Sequence, residues 1–317
     1  MLTSENLIAW KALECTARTG SVKDAAVELD LDMSAVSRLV ASLESEFGVA
    51  LLNRHQRPLT MTAEGRALYE PIKDFIRHHA QLTQMTQAMS GEPRRYRLCY
   101  PMNVGRDPLI GQLIDYRKID PSIEFDLMSE CDHEDVLEGR VDIAYLPYKP
   151  PAKGLLIWST GLGYNVPLAT PDYIEARGNP MEPEDMKDHT IIVRTGKNYP
   201  VYHTLKKGSE ERSFVWRNIG FQGDALSCKA AVLADIGIAM DLSFDLCKQE
   251  LLTGELIPVL NGWHRQPWDM NLVMSEKMEG NAQLMRFAQW LADREIIDNK
   301  ARWAPMFRRF VMGAKAA

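Results

Sequence analysis

The chain has 317 residues, enough to bury two or three separate hydrophobic cores, so a modular layout is the first expectation. Its first twenty residues include Glu5, Lys11 and Glu14, and no later stretch reaches eighteen uncharged apolar residues, so neither an export signal nor a membrane span is expected. The formal net charge of -6 excludes a chain-wide electrostatic attraction to nucleic acid, so any DNA contact must come from a local arrangement.

The cysteines indicate a reduced, cytoplasmic location. They are odd in number, widely scattered and free of any CxxC or Cys/His metal spacing, so no metal or cofactor is expected. The five are Cys15, Cys99, Cys131, Cys228 and Cys247.

The first sixty residues place apolar side chains at helical spacing, which predicts three short helices. Gly20 is placed to end the first helix, and Asp32 to cap the third. Ser21, followed by Asp24, resembles a capping box at the start of the second. The spacing is carried by Leu7, Trp10, Leu13, Ala17, then Ala25, Ala26, Leu29, and then Val36, Leu39, Val40, Leu43.

A hairpin and a long helix follow. Two short apolar runs, 50–52 and 59–61, flank a polar turn, which predicts a small two-stranded wing. The helix is expected from Thr62 to about Met89, with Pro71 bending it near its start.

Seven positions in that helix are spaced alternately by four and three residues, as in a coiled-coil seam. Dimerisation through this seam is the favoured interpretation, and a linker helix that packs only on its own domain is the alternative. The seam consists of Leu68, Ile72, Phe75, His79, Leu82, Thr86 and Met89.

Beyond Ser90-Gly91-Glu92-Pro93, which marks a domain boundary, the pattern alternates between strands and helices and predicts α/β organisation. The first stretch contains strands near 95–101, 122–129 and 141–146 with helices near 107–118 and 132–139. The alternation resumes, strand first, at 190–194, 198–207, 214–219, 223–234 and 236–240, before a strand near 270–275 and a helix near 281–296.

The second and third helices have the spacing of a helix-turn-helix. The small Ala25 and Ala26 allow a close helix crossing, Leu29 and Leu31 bury the turn, and Val36 anchors the second helix. The opposite face would meet the major groove and phosphates, with hydroxyl groups and one arginine as donors. Its predicted DNA-binding residues are Ser21, Met33, Ser34, Ser37, Arg38 and Ser42, to which the wing adds Arg54, His55 and Arg57 for a phosphate or the minor groove.

These residues resemble the N-terminal signature of LysR-type transcriptional regulators. Two departures are Asp32-Met33, where the family usually has Ser-Gln, and Leu52, where it usually has Phe; loss of the glutamine removes a bidentate adenine reader and alters the expected base preference. The matching positions are Gly20-Ser21, Ala25-Ala26, Leu29, Ser34, Val36-Ser37-Arg38, Leu43-Glu44, Phe47-Gly48, Leu51-Leu52, Arg54, Leu59, Thr62 and Gly65.

The resemblance implies an α/β fold class: an N-terminal winged helix-turn-helix with a long linker helix, then a two-lobed, periplasmic-binding-protein-like (type 2) effector domain. It also implies a homodimer or homotetramer that binds double-stranded DNA at an interrupted inverted repeat and responds to a small-molecule effector. The expected divisions are 1–62 for DNA binding, 63–90 for the dimer helix, 91–297 for the effector domain (lobe I about 91–162 and 268–297, lobe II about 163–267) and 298–317 for a basic aromatic tail.

By this resemblance the effector crevice lies at the carboxyl ends of the strands. Asn103, Thr195 and Lys197 would hold a carboxylate, and Pro101-Met102 make the pocket more apolar, so an aromatic or amphiphilic organic acid is expected; ordinary loop or capping chemistry is the alternative. The predicted effector-binding residues are Pro101, Met102, Asn103, Cys131, Asp132, Thr195, Gly196, Lys197, Gln222, Gly223 and Asp224.

Other functions are less well supported. A small-molecule-binding module without specific DNA binding remains the alternative, whereas an enzyme is not expected because no nucleophile elbow, phosphate loop or metal cluster is present. His133-Glu134-Asp135 favours a helix start over a metal site. Peroxide-sensing members of the family that this chain resembles have a close cysteine pair in a loop of the second lobe. Residues 190–215 contain no such pair, so redox sensing is disfavoured. In the tail, Trp303, Phe307 and Phe310 favour a helix packed on its own domain or on a subunit partner, and an extra contact with DNA or another partner is the alternative.

Overall fold

The computed structural model describes residues 2–54, 56–90, 94–101, 106–196 and 201–311. Two compact units make up the chain, one from Met1 to Arg94 and one from Arg95 to Ala317. Within the described ranges, no helix combines the length and the apolar character needed to span a membrane.

The first unit contains the three predicted helices, the hairpin and the long helix. Gly20 ends the first helix in the left-handed conformation, with φ of 66°, and the Ser21 side chain accepts a hydrogen bond from the Asp24 amide. Asp32 occupies the predicted N-cap position of the third helix, but its side chain makes no capping hydrogen bond. The elements are α1 (Leu7–Thr19), α2 (Val22–Leu29), α3 (Met33–Phe47), β1 (Leu52–Asn53), β2 (Thr60–Met61) and α4 (Ala63–Ser90), and β1 pairs with β2.

The beginning of α4 contributes to the core of this unit. Ile72, predicted on the dimer seam, is 6% exposed and packs with the core residues of α1 to α3, because α4 lies against α1 here. The hydroxyl of Tyr69 donates to Glu14 Oε1 at 3.3 Å across the same contact. The assignment of Ile72 to the seam is therefore corrected, whereas Leu68 and Phe75 remain 36% and 48% exposed.

The second unit contains two sheets, and the first defines lobe I. Its strands are ordered β4-β3-β5-β14-β6, with β3 parallel to β5 and β14 antiparallel to β5 and β6. The elements are β3 (Arg94–Cys99), α5 (Arg106–Ile119), β4 (Ile123–Met128), α6 (His133–Leu137), β5 (Ile143–Leu146), β6 (Leu155–Gly163), β14 (Trp268–Ser275) and α10 (Ala282–Asp298).

The second sheet defines lobe II and is ordered β11-β8-β12-β7-β13. Its strands β11 and β12 both run parallel to β8. The elements are β7 (Asn165–Ala169), α7 (Pro171–Arg177), β8 (Thr190–Arg194), β9 (Thr204–Lys207), β10 (Glu210–Ser213), β11 (Asn218–Gly223), α8 (Ala225–Leu233), β12 (Ile238–Ser243), α9 (Lys248–Thr253) and β13 (Ile257–Pro258).

The helix expected at 198–207 is wrong for the described part of that range. There β9 pairs with β10 in a hairpin, and Gly208 supplies the turn with φ of 61°. Leu205 is fully buried, Thr204 is exposed, and Lys206 and Lys207 are half-buried. The strand expected at 214–219 also begins later, at Asn218.

The chain passes between the lobes at Tyr164, between β6 and β7, again between β13 and β14, and once more after α10. After α10, a π-helical turn (Asn299–Trp303) leads into α11 (Ala304–Phe310). Phe307 is 7% exposed and stacks on Tyr164 within the lobe II core. The described part of the basic aromatic segment therefore packs on lobe II of the same chain.

Candidate DNA-binding and effector sites

Helix α3 has one buried face and one exposed face, as a recognition helix requires. Val36, Val40 and Leu43 are buried, and the predicted DNA-binding residues lie on the opposite side. Met33 is 53% exposed, and the Arg38 Nε group donates to the Ser34 carbonyl at 3.2 Å. Ser34, Arg38 and Ser42 are exposed, and Ser37 is half-buried.

A depression joins this face to the wing. Ser37 of α3 lines it together with Arg54 and Arg57 of the wing, so the folded unit brings three of the predicted residues onto one surface. Both arginines are exposed, whereas the half-buried Ser21 is occupied as the cap of α2. His55 lies outside the described residues.

Glu44 attaches the wing to α3. Its Oε1 atom accepts from the amides of Leu51 and Leu52 at 2.8 and 3.1 Å, and its Oε2 atom accepts from Arg54 Nη2 at 2.7 Å. Burial would raise the pKa of Glu44, but Arg54 and the two amides outweigh this effect and lower the pKa. Arg54 therefore supports the wing, and Arg57 and Arg38 are the more available cations.

The lobe I side of the predicted crevice holds Pro101 and Cys131. Pro101 is buried, and the Tyr100 amide donates to the Met128 carbonyl at 2.9 Å, which joins the ends of β3 and β4. Cys131 is bonded to Cys99 in a disulfide, which differs from the reduced state that the scattered cysteines indicated. Met102 and Asn103 lie outside the described residues.

On the lobe II side, the structure brings the ends of β8 and β11 together. The Thr195 amide donates to the Gly223 carbonyl at 2.8 Å, and Gly196 and Gln222 are exposed beside them. Lys197 lies outside the described residues.

Two predicted effector residues are helix caps. The Asp132 carboxylate accepts from the amides of Glu134 and Asp135 at the start of α6. The Asp224 carboxylate accepts from Leu226 and Ser227 at the start of α8, and these bonds lower its pKa. Each carboxylate satisfies helix amides, which favours the capping alternative for these two residues.

The sequence interpretation missed a buried charge cluster at the crossover. Asp241, 6% exposed within β12, accepts at Oδ2 from Arg194 Nη2 at 2.6 Å and from Arg265 Nη1 at 2.8 Å. Asn165 donates to its other oxygen. Burial alone would raise the pKa of Asp241, but the two guanidinium groups hold it below its usual range.

Arg265 is the most exposed member of this cluster. It lies between β13 and β14, its side chain is 18% exposed, and its guanidinium carbon lies 4.8 Å from the Tyr202 ring centre and 4.7 Å from that of Trp268. One signal was available in the sequence: Asp241 interrupts the otherwise uncharged run 238–243, and a buried carboxylate requires a partner.

A cavity of about 40 Å³ lies beside the segments that connect the two lobes. Buried Glu295 lines it and accepts from the Tyr100 hydroxyl at 2.6 Å, and burial raises the pKa of this carboxyl. Among the described residues, none of those predicted for the effector crevice lines this space. In the same described ranges, no group of three His, Cys, Asp or Glu residues could hold a metal ion.

Comparison with known proteins identifies both units. The family of bacterial regulatory helix-turn-helix proteins, lysR family, matches residues 7–66, and the LysR substrate binding domain matches residues 90–295. The chain is 27% identical over 269 residues to the uncharacterized HTH-type transcriptional regulator YhjC of Escherichia coli (strain K12), across 83% of this chain and 88% of that protein. It is 24% identical to the glycine cleavage system transcriptional activator of the same strain, across 90% and 92%.

The fold is also that of a solved relative. The full-length Vibrio cholerae virulence activator AphB matches with a TM-score of 0.60 at 20% identity, across 98% of this chain and 100% of that one. The two family matches together cover both units, so a binding module without a DNA-binding domain and an enzyme are both set aside. The chain belongs to the LysR family and is a DNA-binding transcriptional regulator with an effector-binding domain.

Proposed function

We propose that this regulator binds an organic acid where its two lobes meet, and that the acid alters how a dimer or tetramer binds or bends DNA at an interrupted inverted repeat. The observation that carries the proposal is Arg265, a partly exposed guanidinium at the crossover between the lobes. Asp241 balances the charge of Arg265 only in part, because Arg194 binds the same carboxylate oxygen. A partly exposed guanidinium at this place is a donor that the carboxylate of a ligand can reach.

The surroundings of Arg265 suit an aromatic acid. Tyr202 and Trp268 stack on its guanidinium and fix the plane of its donors, which a carboxylate matches in a bidentate manner. The rings also offer apolar contact to the body of a ligand. Because Tyr202 belongs to lobe II and Trp268 to lobe I, a ligand here would couple binding to the angle between the lobes.

Titration of the full-length protein with sodium benzoate and with benzamide, its neutral counterpart, tests the ligand class. We expect calorimetry to detect benzoate and not benzamide. Arg265→Ala should weaken benzoate binding by about 10- to 100-fold, because a charge-assisted contact is lost. Arg177→Ala, at an exposed position in α7, is the control. Equal binding of both probes, or unchanged benzoate affinity in Arg265→Ala, would contradict the proposal.

The exposed side of α4 supports dimerisation. Leu68, Phe75 and Leu82 recur every seventh residue and are 36%, 48% and 62% exposed, which leaves an apolar row for a second copy. His79 is exposed between them, and the side chains of Thr86 and Met89 lie outside the described part. A symmetric dimer would present two recognition helices to the two half-sites of an inverted repeat.

The double substitution Phe75→Glu and Leu82→Glu should weaken dimer formation by about 1,000-fold or more, because two apolar side chains per copy lose their burial. Sedimentation at micromolar concentration would measure the change. Glu70→Gln, on the outer side of the same helix, should remain a dimer, and a monomeric wild-type chain would refute the assembly.

A further inference from the structure

The disulfide joins two segments at the edge of lobe I. Cys99 is the last residue of β3, and Cys131 immediately precedes Asp132, the cap of α6. Their Cα atoms are 6.4 Å apart, and their exposed fractions are 2% and 4%. Both belong to the apolar cluster beneath α6, together with Val136.

The remaining cysteines are poor competitors for oxidation. Cys15, Cys228 and Cys247 are free and buried. Burial raises the pKa of these thiols to about 12, about 11 and about 12, respectively. All five cysteines are buried, so burial alone does not single out Cys99 and Cys131. What distinguishes these two is a partner sulfur close enough to trap an oxidised thiol as a disulfide, whereas the other three are free thiols.

We infer that Cys99 and Cys131 form a reversible oxidation site for hydroperoxides, and that the disulfide stiffens the crevice side of lobe I. One thiol attacks hydrogen peroxide: its S–O bond forms, the O–O bond breaks, and water leaves. The second thiol then attacks that sulfur, the S–O bond breaks, the S–S bond forms, and a second water leaves. Two thiols and one peroxide thus give one disulfide and two waters, and a dithiol reductant reverses the change.

The mechanical consequence follows from where the sulfur atoms lie. The bond links residues 32 positions apart in sequence and connects the end of β3 directly to the start of α6. Tyr100 and Pro101 follow one cysteine, and Asp132 follows the other, so oxidation restrains the segments that border the predicted crevice. The inference concerns lobe I alone and does not depend on the proposed ligand class.

The test uses full-length protein, reduced with dithiothreitol and then treated with one equivalent of hydrogen peroxide. Alkylation in denaturant should label five cysteines before treatment and three afterwards, and mass spectrometry should find a Cys99–Cys131 peptide that dithiothreitol removes. Oxidation should raise the melting midpoint by about 5 °C. It should also slow amide exchange in residues 94–101 and 131–137 by about 10-fold.

Two variants separate this site from general oxidation. Cys131→Ser should show neither the linked peptide nor the changes in melting and exchange, whereas Cys228→Ser should retain all three. Five labelled cysteines after peroxide, a link through another cysteine, or identical exchange in the two redox states would each overturn the inference. Comparison of the two redox states of the wild-type chain keeps the test valid even if a variant folds poorly.

Discussion

Replacing both Arg38 and Arg57 with alanine is expected to abolish specific DNA binding, lowering the affinity for the operator by about 100-fold or more. Arg38 lies on the exposed face of α3, and Arg57 lines the depression between that helix and the wing. Residues 1–70 contain seven Lys or Arg against ten Asp or Glu, so few other cations near the DNA-binding face offset the loss. Each phosphate contact removed should also reduce the slope of affinity against salt by about 1.

Binding to the upstream intergenic DNA of the protein's own gene, compared with a scrambled duplex across a salt series, measures both effects. Arg95→Ala is the control, because Arg95 belongs to the second unit and is 64% exposed. Arg54→Ala should behave differently from Arg57→Ala: removing the contact with Glu44 loosens the wing and lowers stability as well as affinity. A double variant with wild-type affinity and salt dependence would eliminate this face as the DNA-binding surface.

The first unit could be predicted from sequence because its determinants are local. Gly20 ends a helix, Ser21 starts the next, and Ala25 and Ala26 sit at the close helix crossing, all within a few residues of one another. Seam position Ile72 was misassigned because one helical periodicity serves two purposes in α4: packing on its own unit and exposure to a partner. Sequence spacing alone does not distinguish the two.

The effector unit was less predictable because its contacts join distant residues. Asp224 directly follows β11, whereas Asp132 lies four residues beyond the end of β4, and the helix amides that both carboxylates bind become evident only with the helix starts in place. The Cys99–Cys131 bond joins residues 32 positions apart, and no sequence motif indicates this pairing. Leu205 lies in a hairpin, and its burial there depends on tertiary packing rather than on local sequence.

Asp241→Ala is expected to cause the largest loss of stability, about 3–5 kcal/mol in the free energy of unfolding of the effector unit. The substitution leaves two guanidinium groups facing each other without their shared carboxylate, and the Arg194 side chain is only 2% exposed. Asp241→Asn should lose less, because its amide oxygen still accepts a hydrogen bond. The double substitution Asp241→Leu and Arg194→Met should recover much of the loss, since it removes the uncompensated buried charge.

The pH dependence gives the cluster a second signature. Because the folded-state pKa of Asp241 is lowered, its contribution to stability is complete above the unfolded pKa of about 3.9 and is lost as the pH falls through the lower, folded value. Urea unfolding of wild type and Asp241→Ala should therefore differ strongly at pH 7 and converge in acid. Asp269→Ala removes the same charge from an exposed position and is the control. A loss in Asp241→Ala within about 0.5 kcal/mol of that control at pH 7 would mean that the ion cluster contributes no more than a surface charge does.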